Sequence, residues 1–167
     1  MKIGVISDIH DRIDHLELVM KEIALSGCQS IIFLGDLEEP STLLELIRLA
    51  GDLPLHFILG NNETELEKIH FIAEQHDKVT FYGREGSKII GGLRIAMAHY
   101  PKALEKFVNS GNCDVALYGH THKATSLKHG PCIIGSPGEI QGRTGQIGYG
   151  ILDTEEASFT LHRLSFA

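Results

Sequence analysis

The sequence predicts an α/β fold: a parallel-led sheet packed against a second sheet, with helices outside. Three observations predict it. In the first half, short apolar runs alternate with segments of helical period. In the second half, short strands follow one another through glycine-rich turns. Five of the apolar runs end at once in a residue able to hold a metal ion, and strands lying broadly parallel would bring those ends to one edge.

Residues 2–7, KIGVIS, read as a buried strand. Residues 13–26 place Ile13, Leu16, Val19, Met20 and Ile23 on one helical face, and Gly27 supplies a stop. SIIFLG at 30–35 is the next strand. PSTLLELIRLA at 40–50 opens with Pro and Ser and keeps a helical period. LHFILG at 55–60 is a strand, and ETELEKIHFIAEQH at 63–76 a helix. Beyond these, KVTFYG, SKIIGGLRIAMAH, DVALYG, ATSLKHGPCIIG, YGILDT and SFTLHRL read mostly as short strands. One hairpin turns at Gly91-Gly92, and one helix falls near 102–109.

At 167 residues the chain fits a single domain, 1–167, able to bury about two thirds of its extended surface. The start, MKIGVISDIHDR, has too short an apolar run for a signal segment, and no run approaches the ~18 residues of a membrane span. The expectation is a cytoplasmic protein with no membrane partner. A formal net charge of −7 argues against a broad nucleic-acid surface, which rests on Lys and Arg. A small anionic ligand in a local site remains compatible with it. Cys28, Cys113 and Cys132 are far apart with no C-x-x-C, so they read as buried free thiols rather than a disulfide or zinc framework.

The strand ends carry the chemistry. GVIS runs into Asp8-Ile9-His10, IIFLG into Asp36, HFILG into Asn61-Asn62-Glu63, RIAMA into His99, and VALYG into His120-Thr121-His122. In three of them a Gly intervenes, where it permits a sharp turn or a close backbone approach. Each group alone has an ordinary reading: an Asp after a strand is most often a helix cap or turn former, and Asn-Asn a turn. Five matching ends together are hard to obtain by coincidence. Two carboxylates alone would repel a phosphate, whereas two divalent cations reverse the local sign and present a nucleophile to it. Mixed carboxylate, imidazole and amide ligation suits Mn, Fe, Ni or Zn better than Ca or Mg.

In order and spacing, DIH, GDLE, GNNE, MAHYP and GHTH resemble the calcineurin-like metallophosphoesterase superfamily. The short length, IIGSPGE and the later GILDTEE resemble its small prokaryotic phosphodiesterase branch. The resemblance covers nearly the whole chain. It implies a four-layer α/β/β/α sandwich of two mixed sheets with flanking helices, and two divalent metal ions at its edge. Manganese comes first, with nickel, iron, cobalt or zinc as alternatives. Carried over by motif, Asp8, His10 and His122 hold one ion, Asn61, His99 and His120 hold the other, and Asp36 bridges. The implied reaction is hydrolysis of a small phosphate-ester substrate by in-line attack of a bridging hydroxide on phosphorus.

The chain also departs from the family pattern. Asn62 stands where many members have a His assigned to leaving-group or phosphate contacts, so its amide is a candidate phosphate contact but not an acid. Ala98 and Tyr100 flank His99 where a Gly is frequent, and Ser136 replaces the Asn of an Asn-Pro-Gly. Tyr100 is a candidate for the pocket mouth, while Phe107 reads as core packing and Arg143, in the GEIQGRTGQ loop, as a solvated charge within reach of substrate; the histidines outside the motifs read as packing or surface residues. The leading expectation is a metal-dependent phosphodiesterase. A phosphomonoesterase is the alternative within enzymes, and a retromer-subunit-like scaffold the alternative outside them. Self-association as a homo-oligomer is compatible with either.

Overall fold

The computed structural model describes residues 1–165. Its first half lays down β1 (Lys2–Ile6), α1 (Ile13–Leu25), β2 (Ser30–Phe33), α2 (Pro40–Ala50), β3 (Leu55–Phe57), α3 (Leu66–Glu74) and β4 (Val79–Phe81). The hairpin of β5 (Glu85–Ile90) and β6 (Leu93–Ala98) follows, then a 3-10 turn over Pro101–Leu104 running into α4 (Glu105–Asn109). The chain continues as β7 (Val115–Tyr118), β8 (Thr125–His129), β9 (Cys132–Ser136), β10 (Gln146–Asp153) and β11 (Ser158–Ser165).

Parallel neighbours need long crossovers, and α1, α2 and α3 supply them. The first sheet has the order β11-β10-β1-β2-β3-β4, with β1 to β4 parallel and β10 and β11 added antiparallel. The second has the order β5-β6-β7-β9-β8, parallel in its centre and antiparallel at both edges. Both sheets are mixed, and helices flank them, as the resemblance implied.

The strand sequences explain the layering. Ile3 and Val5 of β1 join Ile32, Leu34, Met97, Val115 and Leu117 in the core between the sheets. Their neighbours Ile6, Ile31 and Phe33 face the other way, into a core with Leu16, Val19 and Ile23 of α1 and Leu43 and Leu46 of α2. A strand buried on both faces reads as a continuous apolar run, which is why the central strands show no polar alternation. On the far side of the second sheet, Ala96, Ala98 and Ala116 present small side chains, and Leu104 packs there. Cys113 and Cys132 lie in that layer with their sulfurs 3.7 Å apart. Burial, with the neighbouring thiol, pushes the Cys132 thiol up to about 12. All three cysteines are free and buried, and no helix among the described residues is long and apolar enough to cross a membrane.

Several boundaries differ from the sequence expectation. The helix expected over 63–76 forms only as Leu66–Glu74. Its N-terminal neighbour Glu65 takes a left-handed backbone at φ 44, and Glu63 accepts hydrogen bonds from two strand-end loops instead of entering the helix. β2 and β3 stop at Phe33 and Phe57, before their glycines. There the chain leaves the ladder and turns toward the sheet edge.

Candidate metal centre

The carboxyl ends of β1, β2 and β3 and those of β6 and β7 meet at one edge of the two-sheet stack. Backbone bonds tie the loops together: Asp8 N donates to Gly35 O at 3.0 Å, Ile9 N to Asp36 O at 2.8 Å, and Gly119 N to His99 O at 3.1 Å. Across the sheets, His120 N donates to Asp8 Oδ2 at 3.2 Å. Among the described residues, positive φ occurs at nine that are not glycine, and five of them are Asp8, His10, Asp36, His120 and His122. A left-handed backbone costs an ordinary side chain roughly 1–2 kcal/mol, Asp being among the least affected. Such strain persists where surrounding contacts over-determine it, and its concentration at one edge makes that edge the candidate site.

Glycine is required where these loops approach. A Cβ at Gly60 would collide with the carboxylate and backbone of Asp36, and one at Gly119 with the Ser7 hydroxyl beneath Asp8. The Gly of G-N and the Gly of G-H-x-H are therefore spacers that let neighbouring loops touch.

The side chains converge as the backbone directs. Asp8, Asp36 and His99 are buried. Asp8 Oδ1 lies 3.3 Å from His122 Nε2 and 3.9 Å from His10 Nε2. Asp36 Oδ2 lies 3.3 Å from His99 Nε2 and 3.6 Å from His10 Nε2. Among the described residues these form two ligand-compatible groups, Asp8-His10-His122 and Asp8-Asp36-His99. Asp8 Oδ1, His10 Nε2 and His99 Nε2 are buried without a hydrogen-bond partner. Leaving one such atom unsatisfied costs about 1–3 kcal/mol. Three of them beside one pair of carboxylates fit a cation, which would satisfy all three at once.

The outward ring nitrogens are engaged. His10 Nδ1 bonds Glu38 Oε1 at 2.7 Å, His99 Nδ1 bonds Leu34 O at 2.8 Å, and His122 Nδ1 bonds Glu139 Oε2. Each bond puts the proton on Nδ1 and turns the Nε2 lone pair inward, the tautomer a metal ligand needs. Glu139 is itself buried, and its Oε1 accepts from Thr144 N at 2.9 Å and Thr144 Oγ1 at 3.1 Å. Glu63 Oε1 accepts from Asp36 N at 2.6 Å and Gly60 N at 2.8 Å, clamping two loops.

Sequence reading assigned Glu38, Glu63 and Glu139 no role. Each stands inside a quoted motif, and their adjacency to ligand positions was the available signal. Replacing Glu139 with Ala frees the His122 ring, and cation affinity should fall about 10–100-fold. Titration calorimetry of wild type and variant checks this; unchanged affinity would remove Glu139 from the site.

Electrostatics agree with the geometry. Burial raises the Asp8 carboxyl above its ordinary value, and the imidazoles of His99 and His122 work against the rise. Burial also opposes the Asp36 charge, but the facing His99 imidazole and the bonds from Asn62 outweigh it and hold that carboxyl low. Burial presses the His99 imidazolium down, while the facing Asp36 more than compensates, so His99 is raised. The Asp36–His99 pair is thus self-neutralising, and Asp8 is the charge that lacks a counterion.

The other expected residues border this cluster. His120 is exposed, its ring 5.2 Å from that of His99 and 4.3 Å from that of Tyr100. Asn61 N and Asn62 N donate to Asp36 Oδ1 at 2.7 and 3.0 Å, and Asn62 Nδ2 donates to Asp36 Oδ2 at 2.7 Å. The Asn62 amide is therefore turned onto Asp36. Away from the motifs, His15 packs with its Nδ1 on Ile140 O, and His56 with its Nδ1 on the Tyr82 hydroxyl.

A family model, the calcineurin-like phosphoesterase superfamily domain, matches residues 1–157. A phosphodiesterase of Methanocaldococcus jannaschii is 28% identical over 162 residues, covering 95% of this chain and 96% of that protein. A solved archaeal phosphodiesterase superposes with a TM-score of 0.89 at 27% identity, over 98% of this chain and 100% of that one. Yfce, a phosphoesterase from E. coli, superposes at 0.67 with 20% identity, over 99% of each chain. Vacuolar Protein Sorting 29 from Cryptosporidium parvum does so at 0.62 with 13% identity, over 99% of this chain and 97% of that one. The last two likenesses concern the fold alone.

Proposed function

The chain belongs to the calcineurin-like phosphoesterase superfamily, and from that premise we propose that it is a phosphodiesterase that works with two divalent cations. The observation that carries the proposal is the set of unpartnered buried atoms, Asp8 Oδ1, His10 Nε2 and His99 Nε2, gathered beside Asp36. In this reading Asp8, His10 and His122 hold one cation and Asn61, His99 and His120 hold the other. Asp36, with Oδ2 near both His10 and His99, serves both. When bound, the cations would supply the positive charge that holds a phosphate ester and the acidity that makes water a nucleophile. Manganese suits the mixed donor set, as do nickel, iron, cobalt and zinc.

The protein's own residues do the positioning. The outward bonds of His10, His99 and His122 fix their tautomers, and the amides of Asn61 and Asn62 orient the Asp36 carboxylate. His120 and the half-exposed Tyr100 stand at the open side, where a substrate enters. A non-catalytic interaction scaffold gains nothing from three unsatisfied buried atoms, which favours an enzyme.

Reconstitution with Mn, Ni, Co, Zn and Mg separately tests the proposal, using bis-p-nitrophenyl phosphate and p-nitrophenyl phosphate. Two ions per chain and preferred turnover of the diester are expected. Metal-independent turnover, or none with any ion, would overturn it; preference for the monoester would make the protein a phosphomonoesterase.

Asn62 sharpens the expectation. An amide cannot donate a proton as an acid, and a placed general acid is worth about 10²–10⁴-fold. Nitrophenolate leaves without that help, whereas an alkoxide needs it. Good turnover of activated diesters and slow turnover of alkyl monoesters are therefore expected. Asn62→His should raise rates on alkyl esters more than on nitrophenyl esters. Steady-state kinetics on both substrate types check it; an equal effect on both would mean the acid comes from elsewhere.

A further inference from the structure

We propose that the cavity against the outer side of His122 binds a second anionic group of the substrate, held by Lys123 and Arg163. The inference rests on the phosphodiesterase reading and names its substrate class: diesters that carry another phosphate on one arm. The cavity is about 420 Å³, and His122 and Glu139 line it as well as belonging to the metal centre. That volume falls within the range of small-ligand sites. Lys123 follows His122 in the chain, while Arg163 reaches the cavity from β11, opposite Gly148 of β10.

Several cations of this protein are held by carboxylates, and these two are not. Arg12, Arg48, Arg94, Lys78 and Lys106 all face carboxylates. Among the described residues, Lys123 and Arg163 have no side-chain partner. The one acid in the wall, Glu139, forms no ion pair with them, and two cations outnumber it. Both Glu139 oxygens are taken, one by His122 and the other by Thr144. In a chain of net charge −7, this leaves a local cationic cavity sharing a wall with the site that would hold the scissile phosphate. An Arg fork can hold two oxygens of one phosphate, with Lys adding a point charge. The side chain of Gln146 adds a neutral donor on the same rim.

Both cations are exposed, so solvent screens them and their joint effect should be about tenfold at low salt, shrinking as salt rises. The test compares thymidine 5′-p-nitrophenyl phosphate with the same ester bearing a 3′-phosphate. In the manganese-loaded wild type, kcat/KM should favour the 3′-phosphorylated ester about tenfold, through KM. In a variant combining Lys123→Gln and Arg163→Gln, with fold checked by circular dichroism, the ratio should fall to about one.

A binding arm needs no turnover. Calorimetry compares thymidine 3′,5′-bisphosphate with thymidine 5′-phosphate on the same two proteins. If no diester is hydrolysed, but the bisphosphate binds more tightly and loses that advantage in the variant, the phosphodiesterase reading falls and the subsite stands. Equal binding of the two nucleotides, equal kcat/KM for the two esters, or a preference that survives in the variant overturns the subsite.

Discussion

Asp36→Asn abolishes turnover and removes at least one cation while leaving the fold intact. An Asn at this position still offers one oxygen to the backbone amides of Asn61 and Asn62, so the loop contacts persist. The lost oxygen is the Oδ2 that lies 3.3 Å from His99 Nε2 and 3.6 Å from His10 Nε2. An amide nitrogen there cannot ligate, and it faces the Asn62 Nδ2 donor that now bonds this oxygen. Loss of an outer-shell partner typically costs about 10–100-fold, and a group shared by both cations should exceed that. Metal content, steady-state rate and far-ultraviolet circular dichroism measure the three parts. Two ions still bound with normal turnover would sink the shared role of Asp36.

Acidification should strip the cations and stop the reaction well before the protein unfolds. Imidazoles must be neutral to bind metal, and four are proposed as ligands: His10, His99, His120 and His122. Activity should fall steeply below about pH 6, near the free imidazole value. His99 is raised, so loss of affinity should begin above about pH 6.5.

The fold responds with the opposite sign at His99. Its raised value means that its contribution to the metal-free fold is complete below about pH 6.5 and is lost as pH rises through the folded value. Asp36 is lowered, so its contribution is present above about pH 3.9 and is lost as pH falls through its lower folded value. Between about pH 4 and 6.5 the pair supports a metal-free fold. Asp8 acts against it there, since burial has raised its carboxyl. Cation binding should therefore raise the melting temperature at pH 8, with about 2.7 kcal/mol expected at a hundredfold excess over Kd. Rate, metal content and circular dichroism followed from pH 8 to pH 4 check both halves. A flat rate to pH 4 with metals retained would rule out histidine-held metal.

Much of the fold was legible because the central strands are buried on both faces. Ile3 to Ile6 and Val115 to Tyr118 are apolar throughout, and a run of that kind, bounded by turn residues, reads as a buried strand without knowledge of its neighbours. α2 was legible to the residue because Pro40 opens it and Gly51 follows it. α3 was not, because Glu63 has a helical sequence but bonds Asp36 N and Gly60 N. Helix propensity differs among such residues by a few tenths of a kcal/mol, and charge-assisted hydrogen bonds at a loop crossing exceed that.

The sequence by itself determined the buried central strands, the order of elements, and the position of Asp8, His10, Asp36, His99, His120 and His122 at or just after strand ends. These follow from local period and residue chemistry, and both are readable along one chain. Only the tertiary structure decided that Glu139 holds His122, that Glu63 joins two loops, that Asn62 turns onto Asp36, and that Arg163 shares a cavity with Lys123. Those pairings join elements that the sheet topology brings to one edge, and no local period encodes which side chains meet there. The left-handed backbones of His10, His120 and His122 belong with them. The conformation is uncommon for any residue but glycine, and the packed loops hold it in place through their contacts.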